Sequence, residues 1–197
     1  GDSVHGACGN EKNDKINIGV VIYRDYTDGN GLVDVLPSVS PQQQLNRINK
    51  FLDTGGEYGI KSSPNDKTQE EALYYGINTA LDKLRFKKDE SNIMLVIGDC
   101  GNAANDTKVS GTDIIAKLID KKIQLMGFQV RNMNSSAFNS FNNQLLTFIR
   151  SALSGIYKKF EVKNTDGSVK NKIVVRPRDI ISASGISEGK IYSANVN

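Results

Sequence analysis

The chain is poor in the residues that usually carry chemistry. Its 197 residues include one histidine, His5, and two cysteines, Cys8 and Cys100. Zinc needs clustered soft ligands, and the spacing of these three offers no such cluster. There is no Gly-x-Ser-x-Gly elbow, no phosphate-binding loop and no dinucleotide-binding glycine fingerprint. No apolar run approaches the roughly 20 residues needed to span a bilayer. Residues 1–15 are polar and show no signal-peptide core, and a natural start upstream of Gly1 stays open. The formal charge of +3 is too small to argue for nucleic acid, and no nucleic-acid partner is expected. The two cysteines read as unpaired buried thiols, with a Cys8–Cys100 disulfide as the alternative in an exported protein.

What is present is an ordinary globular composition, 38 % hydrophobic and 24 % charged, enough for one domain and a small appendage. Residues 16–23, ending "IGVVIY", form a near-continuous apolar, β-branched run, the pattern of a strand covered on both faces. It stops abruptly in Arg24, Asp25 and Tyr26. "TDGNG" supplies a turn, and "LVDVLPSV" reads as a second strand whose Pro37 suits a sheet edge. Ser40-Pro41-Gln42-Gln43 carries a capping-box start for a helix with Leu45, Ile48, Phe51 and Leu52 on one face. A second helix is expected over residues 68–84, burying Ala72, Leu73, Gly76, Ile77, Ala80, Leu81 and Leu84.

"NIMLVIGDCGN" is a second buried strand, stopping at Asp99. A helix over 112–120 and a third buried strand, "KIQLMGFQV", follow. An amphipathic helix over 134–153 then turns Phe138, Phe141, Leu145, Phe148 and Ile149 inward. Residues 158–177 read as a hairpin turning at Asp166-Gly167, and beyond Pro177 the pattern fades into Ser- and Gly-rich loop. Lys158, Lys159, Lys163, Lys170, Lys172 and Arg176 outweigh Glu161 and Asp166 there, which reads as a solvated basic hairpin or as a surface for an anionic partner. Buried strands alternating with helices predict an α/β fold of three layers. Its central sheet is mostly parallel with one antiparallel edge strand, and a C-terminal β-hairpin follows. The expected divisions are a disordered or linking segment over 1–15, the α/β domain over 16–155, and the hairpin and tail over 156–197. In such sheets ligands bind at the carboxyl ends of parallel strands, where Asp25 and Asp99 fall.

Three segments in order, "IGVVIYRDY", "EEALYYGINTALDKL" after a Gly-Gly loop, and "IMLVIGD", resemble a von Willebrand factor A (vWA) domain over residues 16–153. The resemblance implies a mostly parallel sheet with flanking helices. It also implies a metal-ion-dependent adhesion site built on Asp-x-Ser-x-Ser, a Thr and an Asp. The Asp maps onto Asp99, and the Thr onto Thr68, one residue out of register. The Asp-x-Ser-x-Ser element, with the family's first strand, has no match in Asp2, Ser3, Val4, His5 and Gly6. Either that strand and its helix lie upstream, or residues 172–175 ("KIVV") take its place, or the fold is a shortened relative. The first two are preferred, because each buried backbone group left unpaired costs about 1–3 kcal/mol. "IISASG" at 180–185 resembles the motif with Ile180 where Asp is required, and is read as chance.

Magnesium or calcium needs hard oxygen ligands. Asp99 and Thr68 offer two, so the metal site is incomplete and no cofactor is expected unless the missing motif lies upstream. The bland reading makes Asp99 a capping carboxylate and Thr68 a helix N-cap. The polar loop over residues 101–106 is either a ligand-contacting loop or a connector. Asp25 beside Arg24 has a general-base reading, and Cys100 a nucleophile reading, each without a histidine to support it. The expectation is a non-enzymatic protein-interaction or scaffolding domain of a larger bacterial envelope, surface or secretion assembly. That places it in the periplasm, at the cell surface or outside the cell. The alternatives are a metal-dependent adhesion module and, behind it, a cysteine-dependent enzyme.

Overall fold

The protein is described from a computed structural model covering residues 16–39, 41–59, 69–130, 134–158, 162–163, 165–166, 168–171, 180–186 and 189–194. His5, Cys8, Ser40 and Thr68 lie outside these residues, and so do the readings that depend on them. β1 (Ile18–Tyr23) pairs antiparallel with β2 (Val33–Val39) across a 3-10 turn at Tyr26–Gly31, as the hairpin pattern predicts. α1 (Pro41–Thr54) follows, but only Ile48 of its expected apolar face is buried, with Leu45 and Leu52 about half exposed.

α2 (Leu73–Lys83) begins later than the expected 68. The backbone ahead of it bonds elsewhere: Glu71 N–H donates to Gly101 O (3.1 Å) and Ala72 N–H to Arg24 O (3.0 Å). Strand-end carbonyls thus take donors that an earlier helical start would need. β3 (Asn92–Gly98), α3 (Gly111–Asp120) and β4 (Ile123–Val130) form a parallel β-α-β unit in register from Asn92↔Ile123 to Gly98↔Gln129. α4 (Ser135–Lys158) is started by Asn134, whose Oδ1 accepts from the Ser136 and Ala137 amides, a side-chain N-cap.

After α4 come β5 (Val162–Lys163) and β6 (Val169–Asn171), an antiparallel pair, then β7 (Ile180–Ile186) and β8 (Gly189–Ala194). β8 runs antiparallel to both β4 and β7, giving the order β3-β4-β8-β7. Two expectations change here. The stretch from 180, read as loop, is strand, because it extends an edge that β4 offers. The sheet is also not one mostly parallel layer: the described strands form a β1-β2 sheet, a β3-β4-β8-β7 sheet with one parallel pair, and a small β5-β6 sheet.

One apolar cluster holds the domain together. It joins Leu73, Ile77 and Leu81 of α2, Ile114 and Leu118 of α3, and Phe141, Leu145, Phe148 and Ile149 of α4. Beneath them lie Met94 and Val96 of β3 and Ile123 and Leu125 of β4, with Val21 and Tyr23 of β1 packed against it. Each large side chain buried this way contributes about 1.5–3 kcal/mol. The helix faces match the expected spacing, and all three helices serve the same face of the sheet. The opposite face of β3 differs from expectation. Ile93, Leu95 and Ile97 are 59 %, 55 % and 55 % exposed, so among the described residues β3 is covered on one side, and the layers there are two, not three.

Candidate functional site

The carboxyl ends of β1 and β3 come together above the start of α2, and each sequence candidate finds its place there. Arg24 ends β1 and turns inward. Its guanidinium donates to Asp34 Oδ2 (2.8 Å) and to the carbonyls of Gly31 (2.7 Å), Gly55 (2.5 Å) and Gly59 (2.6 Å). Gly55 and Gly59 hold positive φ of 69° and 81°, a conformation glycine adopts without penalty, which aims those carbonyls at the cation. Arg24 and Asp34 side chains are 7 % and 8 % exposed. A buried charge tolerates such a place only when paired and hydrogen-bonded throughout.

Asp25 is buried, and its carboxylate accepts from the Thr27 amide (2.7 Å) while Asp28 reaches back to the Asp25 amide (3.1 Å). That reciprocal capping box starts the 3-10 turn. The Arg24 guanidinium takes Asp34 as its carboxylate partner.

The third residue of the triplet points the other way. Tyr26 O–H donates to Asp106 Oδ2 (2.6 Å), Lys108 Nζ stands 4.0 Å from the Tyr26 ring centroid, and Tyr75 meets that ring edge-on. Asp106 also accepts from Asn102 Nδ2 (2.9 Å) and the Lys108 amide (2.8 Å). Burial alone would raise the Asp106 carboxyl, but bonds from Tyr26, Asn102 and Lys108 outweigh it and hold it below the usual carboxylate range. Burial, and then the Asp106 bond, push the Tyr26 phenol well above its ordinary value.

Asn102 is the joint of the site. It is 4 % exposed. Its Oδ1 accepts from the Tyr74 amide (2.9 Å) at the start of α2, and its own amide donates to Gln144 Oε1 of α4 (2.7 Å). Its backbone also forms a parallel bridge with Glu71. The 101–106 loop is therefore tied to the 3-10 turn after β1, to α2 and to α4. The sequence marks Tyr26 as a strand end and Asn102 and Asp106 as members of a polar loop, but not their bonds to one another, and it does not single out Gln144. The Asn102–Gln144 and Tyr26–Asp106 pairings span 42 and 80 residues, and no local spacing announces such contacts.

Asp99 follows β3, is partly buried, and lies near Tyr23 and Cys100, whose protons its charge helps to retain. Cys100 is a buried free thiol. Burial, before any neighbouring charge, pushes it up to about 11, so it is protonated at neutral pH and a poor nucleophile. Thr68 lies outside the described residues, so its pairing with Asp99 does too. Among the described residues no three His, Cys, Asp or Glu side chains come together to hold a metal ion. Asp25 and Asp106 spend their carboxylates on hydrogen bonds within the loops. No helix among the described residues is long and apolar enough to cross a membrane.

The family model for the TssR protein VWA domain matches residues 7–181, and the chain belongs to that family. No curated protein and no solved structure matches it.

Proposed function

For a TssR VWA domain with this strand-end architecture, we propose a non-enzymatic scaffolding role. The domain binds a protein partner within a secretion assembly, of the type VI kind to which the family name points. An envelope or periplasmic location fits that role. The observation that carries the reading is the Tyr26–Asp106–Asn102–Gln144 network. It immobilises two loops at the carboxyl ends of the strands while leaving residues 104, 105, 107 and 108 exposed. Rigid loops on a packed scaffold bind without a further ordering cost. The protonated, buried Cys100 supports the absence of thiol catalysis.

Photo-crosslinking from Asn105 and Thr107 in cells tests this. The expected result is a defined adduct with another component of the secretion assembly, weakened ~10-fold or more by Asp106→Ala, the effect of losing about 1.4 kcal/mol of binding. An adduct pattern identical in wild type and Asp106→Ala overturns the loop-borne interface. A Cys100-dependent turnover overturns the non-enzymatic reading.

A further inference from the structure

Charge divides this fold along its strands. At the carboxyl ends of β1 and β3 the acids gather. Asp25 and Asp28 cap the 3-10 turn, Asp106 takes the Tyr26 hydroxyl, and Glu70, Glu71 and Asp99 act together on Cys100. Among the described residues at this pole, Arg24 is spent on Asp34, which leaves Lys108, beside Asp106, against six carboxyl groups.

The amino ends of β1, β3 and β4 are the reverse. Asn92, at the start of β3, holds the carbonyls of Lys87 and Lys121 (2.7 and 2.9 Å), and the Arg85 amide meets Ser38 Oγ near the end of antiparallel β2 (3.2 Å). Residues 82–90 and 117–122 thus share one pole, with seven Lys and Arg against four Asp and Glu. Three of those acids are taken by Lys87, Lys88 and Lys117, so Lys83, Arg85 and Lys121 lie outside these pairs. α4 leads to the same place. Its Ser140 bonds Gly101 at the acidic pole, and its Gly155 lies against Ile119 at the basic one. The chain leaves α4 there, and the stretch 158–178 has seven Lys and Arg against two Asp and Glu. The two basic sets sum to +8 in a chain of +3, so all other residues together sum to −5.

We propose that the basic pole is a docking surface for the anionic headgroups of a phospholipid membrane, and that the domain sits on it with the acidic pole and its loops turned away. Charge complementarity carries the assignment, and residue type selects among anionic partners. Eleven of the fourteen cations are lysines. A lysine is a compact point charge suited to a diffuse layer of headgroups, whereas fixed carboxylate or nucleic-acid phosphate pairs favour the planar fork of arginine. Clusters of four to eight Lys and Arg are the usual sequence form of anionic-lipid attraction. The stretch "IYKKFEVK" at 156–163 also interleaves Ile156, Tyr157, Phe160 and Val162 with its lysines, a composition suited to the boundary between headgroups and acyl chains. The same field repels the acidic pole from the membrane, so one orientation is favoured. An envelope location puts such a surface within reach. The membrane contact and the loop interface are at opposite ends of the strands and do not compete.

Vesicle flotation with the 197-residue chain tests this. Binding is expected to vesicles of equal parts phosphatidylglycerol and phosphatidylcholine, not to phosphatidylcholine alone, and is expected to weaken ~10-fold or more as salt screens it. Lys163→Gln with Lys170→Gln, and separately Lys83→Gln with Arg85→Gln and Lys121→Gln, should each weaken binding ~10-fold or more. Lys50→Gln with Arg150→Gln removes exposed charge outside the two basic sets and should weaken it less than ~3-fold. Absent binding to the anionic vesicles overturns the proposal, as does equal binding to both kinds. Pole variants that fall no further than the Lys50 and Arg150 control also overturn it. So does a chain that leaves the vesicles for polyaspartate or duplex DNA, which makes the partner an acidic protein or a nucleic acid. The outcome is separate from that of the loop interface: a chain that binds vesicles and gives no adduct from Asn105 or Thr107 breaks the loop reading alone, and the converse breaks this one alone.

Discussion

β1 and β3 both stop in polar residues at the same end of the fold, and the two ends are built for different work. At β1 the charges turn inward. Arg24 is surrounded by Asp34 and three carbonyls, and Asp25 spends its carboxylate on a turn. At β3 the polar residues spread outward, through partly buried Asp99 to the 101–106 loop and its exposed tip. Tyr26 and Asp106 are where the two ends join. One end is an anchor and the other a platform, and a charged triplet closing an apolar strand says nothing by itself about which it will be.

The strongest way to break the comparison is to remove the anchor. Asp34→Ala leaves the Arg24 guanidinium buried without its counter-charge. Removing one partner of a buried pair costs about 3–5 kcal/mol. The low end is expected here, because the carbonyls of Gly31, Gly55 and Gly59 still accept from it. Urea unfolding followed by circular dichroism measures the loss. Asp34→Asn, which keeps an acceptor, should lose less. An Asp34→Ala chain within 0.5 kcal/mol of wild type, the range of ordinary surface changes, would remove the anchor reading.

Much of the anchor and little of the platform was legible in the sequence. The β1–β2 hairpin, the parallel β3-α3-β4 unit and the buried faces of α2 and α4 follow from period-2 and period-3.6 spacing, which is local. So does the strand-end position of Asp25 and Asp99. The Arg24–Asp34 pair is not local, and neither is the Tyr26–Asp106 bond across 80 residues. α2 begins five residues late because strand-end carbonyls compete for its first donors, a tertiary effect that overrides the helical pattern. β3 read as covered on both faces because an apolar run shows how a strand is built to pack and does not say what packs on it.

A smaller effect is expected where the two ends meet. Asp106→Asn keeps the shape and removes the charge that Tyr26 and Asn102 bond, costing about 1–2 kcal/mol. The pH dependence is its signature. The folded value of Asp106 is lowered from 3.8. Its contribution is therefore complete above the unfolded value and disappears as pH falls through the lowered folded one. Tyr26 works in the other direction, because its folded value is raised from 10.0: its contribution is complete below pH 10 and declines as pH rises further. Wild type should thus lose stability at both extremes. Asp106→Asn should flatten the acid limb below about pH 4, read as Tm against pH. An unchanged acid limb would mean that the carboxylate does not tie the loops together.

The smallest expected effect is at the platform itself, and it bears on what the platform is for. Asp99 is partly buried and faces no described set of metal-ligating side chains. Asp99→Ala is therefore the variant that tests the metal reading directly. Calorimetry with magnesium or manganese on the 197-residue chain should show no micromolar binding, in wild type or variant. A hard cation needs several oxygen ligands held together, and one carboxylate with backbone oxygens leaves most of the ion to water. Micromolar binding that disappears in Asp99→Ala would turn the platform into a metal-dependent adhesion site and displace the metal-free scaffold.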